Sequence, residues 1–144
     1  MDTGGCLDFV KRNPNGFLAT VDNGRPRVRP MTVWLADRTG FYFYTSRVKP
    51  LHEQLRSCAE VEIAFHEPGR PPDVGVILRL RGRVEFVTDP KIRRRLTELQ
   101  PWLKKIGSGK PDCPTIAVFR LASGLWNRWT WENNAAPGPW VPFP

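Results

Sequence analysis

Arg27, Arg29, Tyr44, Thr45, Ser46 and Lys49 are the residues whose types and spacing could act together. They fall within RPRVRPMTVWLADRTGFYFYTSRVKPLHEQLRS, residues 25–57. Arg27 and Arg29 alternate along a strand, so they share one face. Tyr44-Thr45-Ser46 ends the following strand, and Lys49 stands just before Pro50, which suits the first turn of a helix. Strand-end hydroxyls, an amine and a helix N-terminus, joined by an arginine from a neighbouring strand, make a phosphate site. Each residue alone reads as an ordinary solvated side chain. The ordered set points to a phosphorylated cofactor.

Other chemistries find less support. His52 and His66 stand apart, with no HExxH spacing and no carboxylate cluster, so no protein-built metal site is expected. There is no Gly-x-Ser-x-Gly elbow and no Walker loop. No side chain stands out as a general acid or base, and the catalytic residues stay unassigned. Trp126, Trp129 and Trp131 crowd one short segment; on a strand Trp129 and Trp131 would face the same way, as a hydrophobic dimer interface would require.

The net charge of +8 raises nucleic acid as a partner. The basic residues are dispersed, however: Arg79, Arg81 and Arg83 alternate along a strand, while Arg93, Arg94 and Arg95 ride a helix. That distribution favours a solvated basic surface, attractive to anionic ligands, over a nucleic-acid face. Nothing approaches the apolar run that crosses a membrane, and the N-terminus lacks the pattern of a signal peptide. Cys6, Cys58 and Cys113 are odd in number and without CxxC spacing, which fits a reducing, cytoplasmic setting.

The elements that must position these residues follow from periodicity and turn chemistry. The 144 residues predict one domain over 1–132 and an extended, proline-rich, poorly structured tail over 133–144. A short helix over 5–12 precedes a strand from Phe17 to Val21, with Asp22-Asn23-Gly24 as a tight turn. Arg27 to Ala36 and Gly40 to Ser46 read as a strand pair, followed by a helix from Pro50 that buries Leu51 and Leu55. Glu60 to His66 and Val74 to Val87 are further strands, with Gly82 marking a bend in the second. Asp89-Pro90 opens a helix whose apolar stripe is Ile92, Leu96, Leu99 and Leu103, and Pro101 interrupts it. Thr115 to Leu121 and Leu125 to Glu132 are the last strands. Strands on short turns with interrupting helices predict a mainly β protein, an antiparallel barrel with peripheral helices.

RVRPM at 27–31, FYFYTS at 41–46, Lys49 before a short helix, and GRVEFVTD at 82–89 occur in this order along the chain. In that order the chain resembles the FMN-binding split-barrel family related to pyridoxamine 5'-phosphate oxidase, over most of residues 13–131. The resemblance implies a split β-barrel flavoprotein, FMN as cofactor at the interface of a homodimer, and an oxidoreductase with an unidentified small-molecule substrate. It makes Arg29, then Arg27, the phosphate-binding arginine, with Tyr44, Thr45, Ser46 and Lys49 beside it. It gives Pro30, Met31, Thr32 and Val33 to the flavin ring, and Trp129 and Trp131 to its cover, often from the other subunit.

One departure stands out. The pyridoxine phosphate oxidases carry an Arg/His motif near the C-terminus that grips the substrate phosphate, whereas LWNRWTWENNAAPGPW here has no histidine. Pyridoxine and pyridoxamine phosphate are therefore not the expected substrates. The alternatives are a deazaflavin-dependent reductase, a non-enzymatic carrier of flavin or haem, and a basic nucleic-acid-binding barrel.

Overall fold

Residue Asp2 opens the first element by accepting the Gly5 N–H on its side chain at 2.8 Å, the N-cap that starts α1 (Thr3–Arg12). The computed structural model describes residues 1–102 and 115–143; Leu103 and Cys113 therefore lie outside the described residues. After α1 come β1 (Asn15–Asp22), β2 (Arg25–Thr32), β3 (Leu35–Asp37), β4 (Gly40–Ser46), α2 (Pro50–Ser57), β5 (Glu60–Glu67) and β6 (Val76–Phe86). Then follow α3 (Pro90–Leu99), β7 (Ile116–Leu121), β8 (Gly124–Trp129) and β9 (Val141–Phe143). No helix among the described residues is long and apolar enough to cross a membrane.

Asn23 and Gly24 both take positive φ, 50° and 76°, between the paired residues Asp22 and Arg25. Two left-handed residues in a two-residue loop match the right-handed twist of the flanking strands, and this fixes the β1–β2 register. Alternation then sorts the faces. Leu18 of β1, Ile63 and Phe65 of β5, and Leu78 and Leu80 of β6 all turn inward to one core with Phe41 and Phe43 of β4.

The spine of the molecule is β6. One edge pairs with β5 from Val76 to Arg83; the other pairs first with β8, over Ile77 to Arg81, and then with β7, over Val84 to Phe86. The change of partner falls at Gly82, where a Cβ would meet the Ser123 carbonyl oxygen at 2.7 Å. Only glycine permits that approach; the pairing with β5 runs through Gly82 without a bulge, and it is on the other edge that the sheet divides there. The path β2-β1-β5-β6-β7-β4-β3 leaves β2 and β3 at its two ends. Among the described residues the result is an antiparallel split barrel with three peripheral α-helices, and its sheet does not close.

Three expectations need correction. The stretch Arg27 to Ala36 is two strands: β2 pairs with β1, and only Leu35–Asp37 pairs with β4. Between them the chain crosses from one sheet to the other, with the Val33 N–H donated to the Pro14 carbonyl and the Trp34 N–H to that of Tyr42. Second, β8 stops at Trp129, because Thr130 caps a 3₁₀ turn over Trp131–Asn133; Trp129 and Trp131 share no strand face. Third, Leu99 is exposed, and the buried side of α3 rests on Leu96 and Thr97.

The C-terminal segment is also tied down rather than loose. Val141–Phe143 pairs with β8, and Phe143 is buried against Phe41 with ring centroids 5.4 Å apart. Trp140 sits under the guanidinium groups of Arg79 and Arg81, at 5.0 and 4.0 Å from the ring centroid. Proline content gave no hint of this, since the contacts are made across the sheet. Phe143→Ala should lower the unfolding free energy by about 3 kcal/mol, the usual cost of emptying a buried phenyl site. Urea denaturation measures it, and a loss below about 1 kcal/mol would show that the segment is only laid on the surface.

Candidate functional site

Where β2 ends, β4 ends and α2 begins, the side chains enclose a cleft of ≈ 510 Å³. Its walls bring together Arg29, Pro30, Met31, Thr32, Tyr44, Thr45 and Lys49, which the sequence had singled out. Asn15, Trp34, Pro50, Leu51 and Gln54 complete it. The volume lies in the range of small-molecule and cofactor sites.

Arg29 is the organising charge. It sits opposite Leu18 in the β1–β2 register and is half-buried. Its Nη1 donates to Thr20 Oγ1 at 2.7 Å and, more distantly, to the Leu18 carbonyl at 3.4 Å. Its Nη2 donates to Gln54 Oε1 at 2.7 Å, and that oxygen also accepts the Thr20 hydroxyl at 2.8 Å. All of these partners are neutral. Among the described residues no carboxylate pairs with Arg29, and partial burial, with Arg27 nearby, holds its pKa below the ordinary arginine value. A guanidinium carries five N–H donors, so the three bonds formed within the protein leave capacity for a ligand. A charge held in place by neutral groups, without a counter-ion, is a site prepared for an anion.

The rest of the cleft adds to that potential. Lys49 occupies the N-cap position of α2 and makes no side-chain cap bond, so its amine stands at the positive end of the helix. Thr45 is buried at the end of β4. Burial raises the pKa of Tyr44, which keeps its phenol protonated as a potential donor. Trp34 packs beside Tyr44 at 5.9 Å between ring centroids and beside Trp102 at 4.9 Å, giving the cleft an aromatic side.

Other candidates lie elsewhere. Arg27 is exposed and paired with Asp22 at 3.1 Å within the hairpin, outside the cleft. Val33 is buried in the main core. Ser46 follows Thr45 on β4 but does not line the cleft; its hydroxyl accepts the Val48 N–H at 3.5 Å. Trp129 donates its indole N–H to Asn134, and Trp131 is 59% exposed; neither reaches the cleft of its own chain. Neither histidine lines it: His52 packs on Phe86, and His66 Nε2 lies 2.6 Å from the Val74 carbonyl oxygen. No group of three or more potential metal ligands occurs among the described residues.

The sequence reading missed Gln54, Thr20 and Trp34. Gln54 had a usable signal, because it follows Leu51 by three positions and therefore shares its helical face. Thr20 alternates with Leu18 along β1, so its inward side was readable but its meeting with Arg29 and Gln54 was not; Trp34 had no signal, since it lies where the chain crosses between sheets.

Comparison with known proteins agrees with this architecture. Residues 3–129 match the family profile described as pyridoxamine 5'-phosphate oxidase. The pyridoxine/pyridoxamine 5'-phosphate oxidase of Brucella canis is 32% identical over 109 residues, 68% of this chain and 52% of that protein. The chain thus spans about half the length of the curated relatives it matches. A NimC/NimA family protein from Clostridium acetobutylicum has a TM-score of 0.78 at 23% identity, covering 98% of this chain and 90% of its own. A FAD-binding protein from Mesorhizobium loti has a TM-score of 0.68 at 20% identity, covering 89% and 94%. Those two likenesses speak to the fold alone. With the profile running from α1 through the end of β8, the chain belongs to the pyridoxamine 5'-phosphate oxidase family.

Proposed function

We propose that the cleft binds FMN and that the protein is a flavin-dependent oxidoreductase acting on a small molecule. The observation that carries this reading is Arg29, a half-buried cation held by Thr20 and Gln54 with no carboxylate partner among the described residues. Arg29, Thr45 and Lys49 would hold the phosphate, while Pro30, Met31 and Thr32, with Trp34 and Tyr44 across from them, supply a largely apolar wall for the ring. A bound flavin supplies hydride or electron transfer; these residues anchor it, orient it and limit its contact with water. Family membership favours a flavin over haem, for which the cleft offers no histidine. The absorbance spectrum of the purified protein, followed by mass identification of the released cofactor, tests this. FMN is the expected result; FAD, a deazaflavin or haem would contradict it.

The working form in this reading is a homodimer. Phe17 and Val28 are 60% and 64% exposed, and Val21 and Pro26 lie on the same outer face of β1 and β2. An apolar face of this kind beside a cofactor cleft is a surface for a second copy. Trp129 and Trp131, remote from the cleft of their own chain, could reach a site only in such an assembly.

The substrate is expected to differ from that of the Brucella relatives. Residues 125–134 offer Arg128, which is exposed, and no histidine to grip a second phosphate. Turnover of pyridoxine or pyridoxamine phosphate, followed by oxygen uptake, should be negligible while an external donor reduces the flavin. Steady oxidation of either vitamer at an enzymatic rate would overturn that expectation.

A further inference from the structure

We propose that a second anion site, for a phosphate monoester, lies on the face of α2 turned away from the cleft. A cavity of ≈ 250 Å³ there is lined by Arg47, His52, Arg56 and Arg93 above an apolar floor that includes Phe86 and Val118. The cations come from three separate segments: Arg47 from the link after β4, Arg56 from α2 and Arg93 from α3. No carboxylate lines the cavity among the described residues.

Two of the cavity's arginines, Arg47 and Arg56, differ from several others on the surface. Arg27, Arg79, Arg83, Arg95 and Arg120 each stand beside an acidic partner. Among the described residues, the guanidinium groups of Arg47 and Arg56 have neither an ion pair nor a hydrogen bond. Arg93 is fixed at the edge of the cavity by donating from Nη2 to the Ile116 carbonyl at 3.1 Å. His52 is buried, with its ring 5.0 Å from that of Phe86. Its burial and the charges of Arg47 and Arg56 lower its pKa, with Glu53 opposing them.

The helix period separates this cavity from the cleft. Pro50, Leu51 and Gln54 of α2 line the cleft, whereas His52 and Arg56 line the cavity. At about 3.6 residues per turn these sets point in nearly opposite directions, so one ligand cannot occupy both. The guanidinium groups of Arg47 and Arg56, with Arg93 beside them on the cavity wall, exceed what a monocarboxylate neutralises. A phosphate monoester brings two charges and three terminal oxygens to planar donors suited to them. The floor of Phe86 and Val118 then receives the small apolar body of the ester. The inference does not rest on flavin binding.

The test is an NMR titration that follows the ring proton of His52, assigned with a His66→Gln variant, at constant ionic strength. The background is Arg29→Gln, which silences the cleft. Phenyl phosphate is the probe, with inorganic phosphate and sodium chloride as comparisons. The expected result is a saturable shift with phenyl phosphate, tighter than with inorganic phosphate, and a rise in the His52 pKa on saturation. Arg47→Gln and Arg56→Gln should each weaken binding by about tenfold or more. Both side chains are exposed, so the fold should persist, and FMN affinity in the otherwise natural sequence should not change. A response no different from sodium chloride, or full affinity in both variants, would overturn the site. Equal affinity for the two phosphates would overturn the ester assignment.

Discussion

Replacing Arg29 with alanine should lower FMN affinity by about ten- to hundredfold and leave riboflavin affinity unchanged. A hydrogen bond to a charged group contributes about 1.5–3 kcal/mol, and about 1.4 kcal/mol is a factor of ten in affinity. Riboflavin lacks the phosphate, so it loses nothing when the cation goes. The fold survives because the two neutral groups that hold Arg29 also hold each other: the Thr20 hydroxyl still donates to Gln54 Oε1 at 2.8 Å. Removing the half-buried cation even relieves the desolvation that lowers its pKa. Arg29→Lys should fall between the natural protein and alanine, because it keeps the charge and loses the planar fork. Isothermal titration of the apoproteins reads all of this. Equal losses for FMN and riboflavin would mean that Arg29 shapes the cleft rather than binding phosphate.

The second large effect concerns assembly. Phe17→Asp combined with Val28→Asp should convert a micromolar dimer to monomer. Both residues are more than half exposed in the single chain, so an aspartate at either position costs the monomer little. In a dimer the same carboxylates would be buried without partners, a penalty of several kcal/mol each and enough for a loss of about a thousandfold or more in association. Light scattering coupled to size exclusion measures the change. A natural protein that is already monomeric, or a double variant that stays dimeric, would contradict this face as the interface. If the partner completes the cofactor site, the monomeric variant also purifies with less flavin.

The parts of the site that could be read from the sequence are those set by local rules. Arg29 takes its direction from strand alternation, and Lys49 its place from the proline that opens α2. A special place for Gly82 was legible because a glycine inside a strand commonly marks a close backbone approach, and it is the approach to Ser123, not a bulge, that occurs there. What stayed hidden depends on pairing across the molecule. The crossing at Val33 and Trp34 looks like an uninterrupted strand until Pro14 and Tyr42 accept their N–H groups. Trp131 keeps strand spacing from Trp129, yet the Thr130 cap turns the chain out of the sheet between them. Leu99 fits the helical stripe but falls at the end of α3, beyond the surface that Leu96 covers. The C-terminal segment follows the same logic, since β8 and the guanidinium groups of β6 hold it.

The most direct measurement of the central claim is a pair of titrations of the unmodified apoprotein, one with FMN and one with riboflavin, followed by quenching of flavin fluorescence. A cleft built around an arginine with no counter-ion among the described residues, a lysine and a helix N-terminus should bind FMN more tightly by at least about tenfold. That preference should shrink as salt is raised, because the phosphate contacts are partly open to solvent. Equal affinity for the two flavins, unchanged by salt, would contradict the phosphate site and with it the assignment of this cleft to FMN.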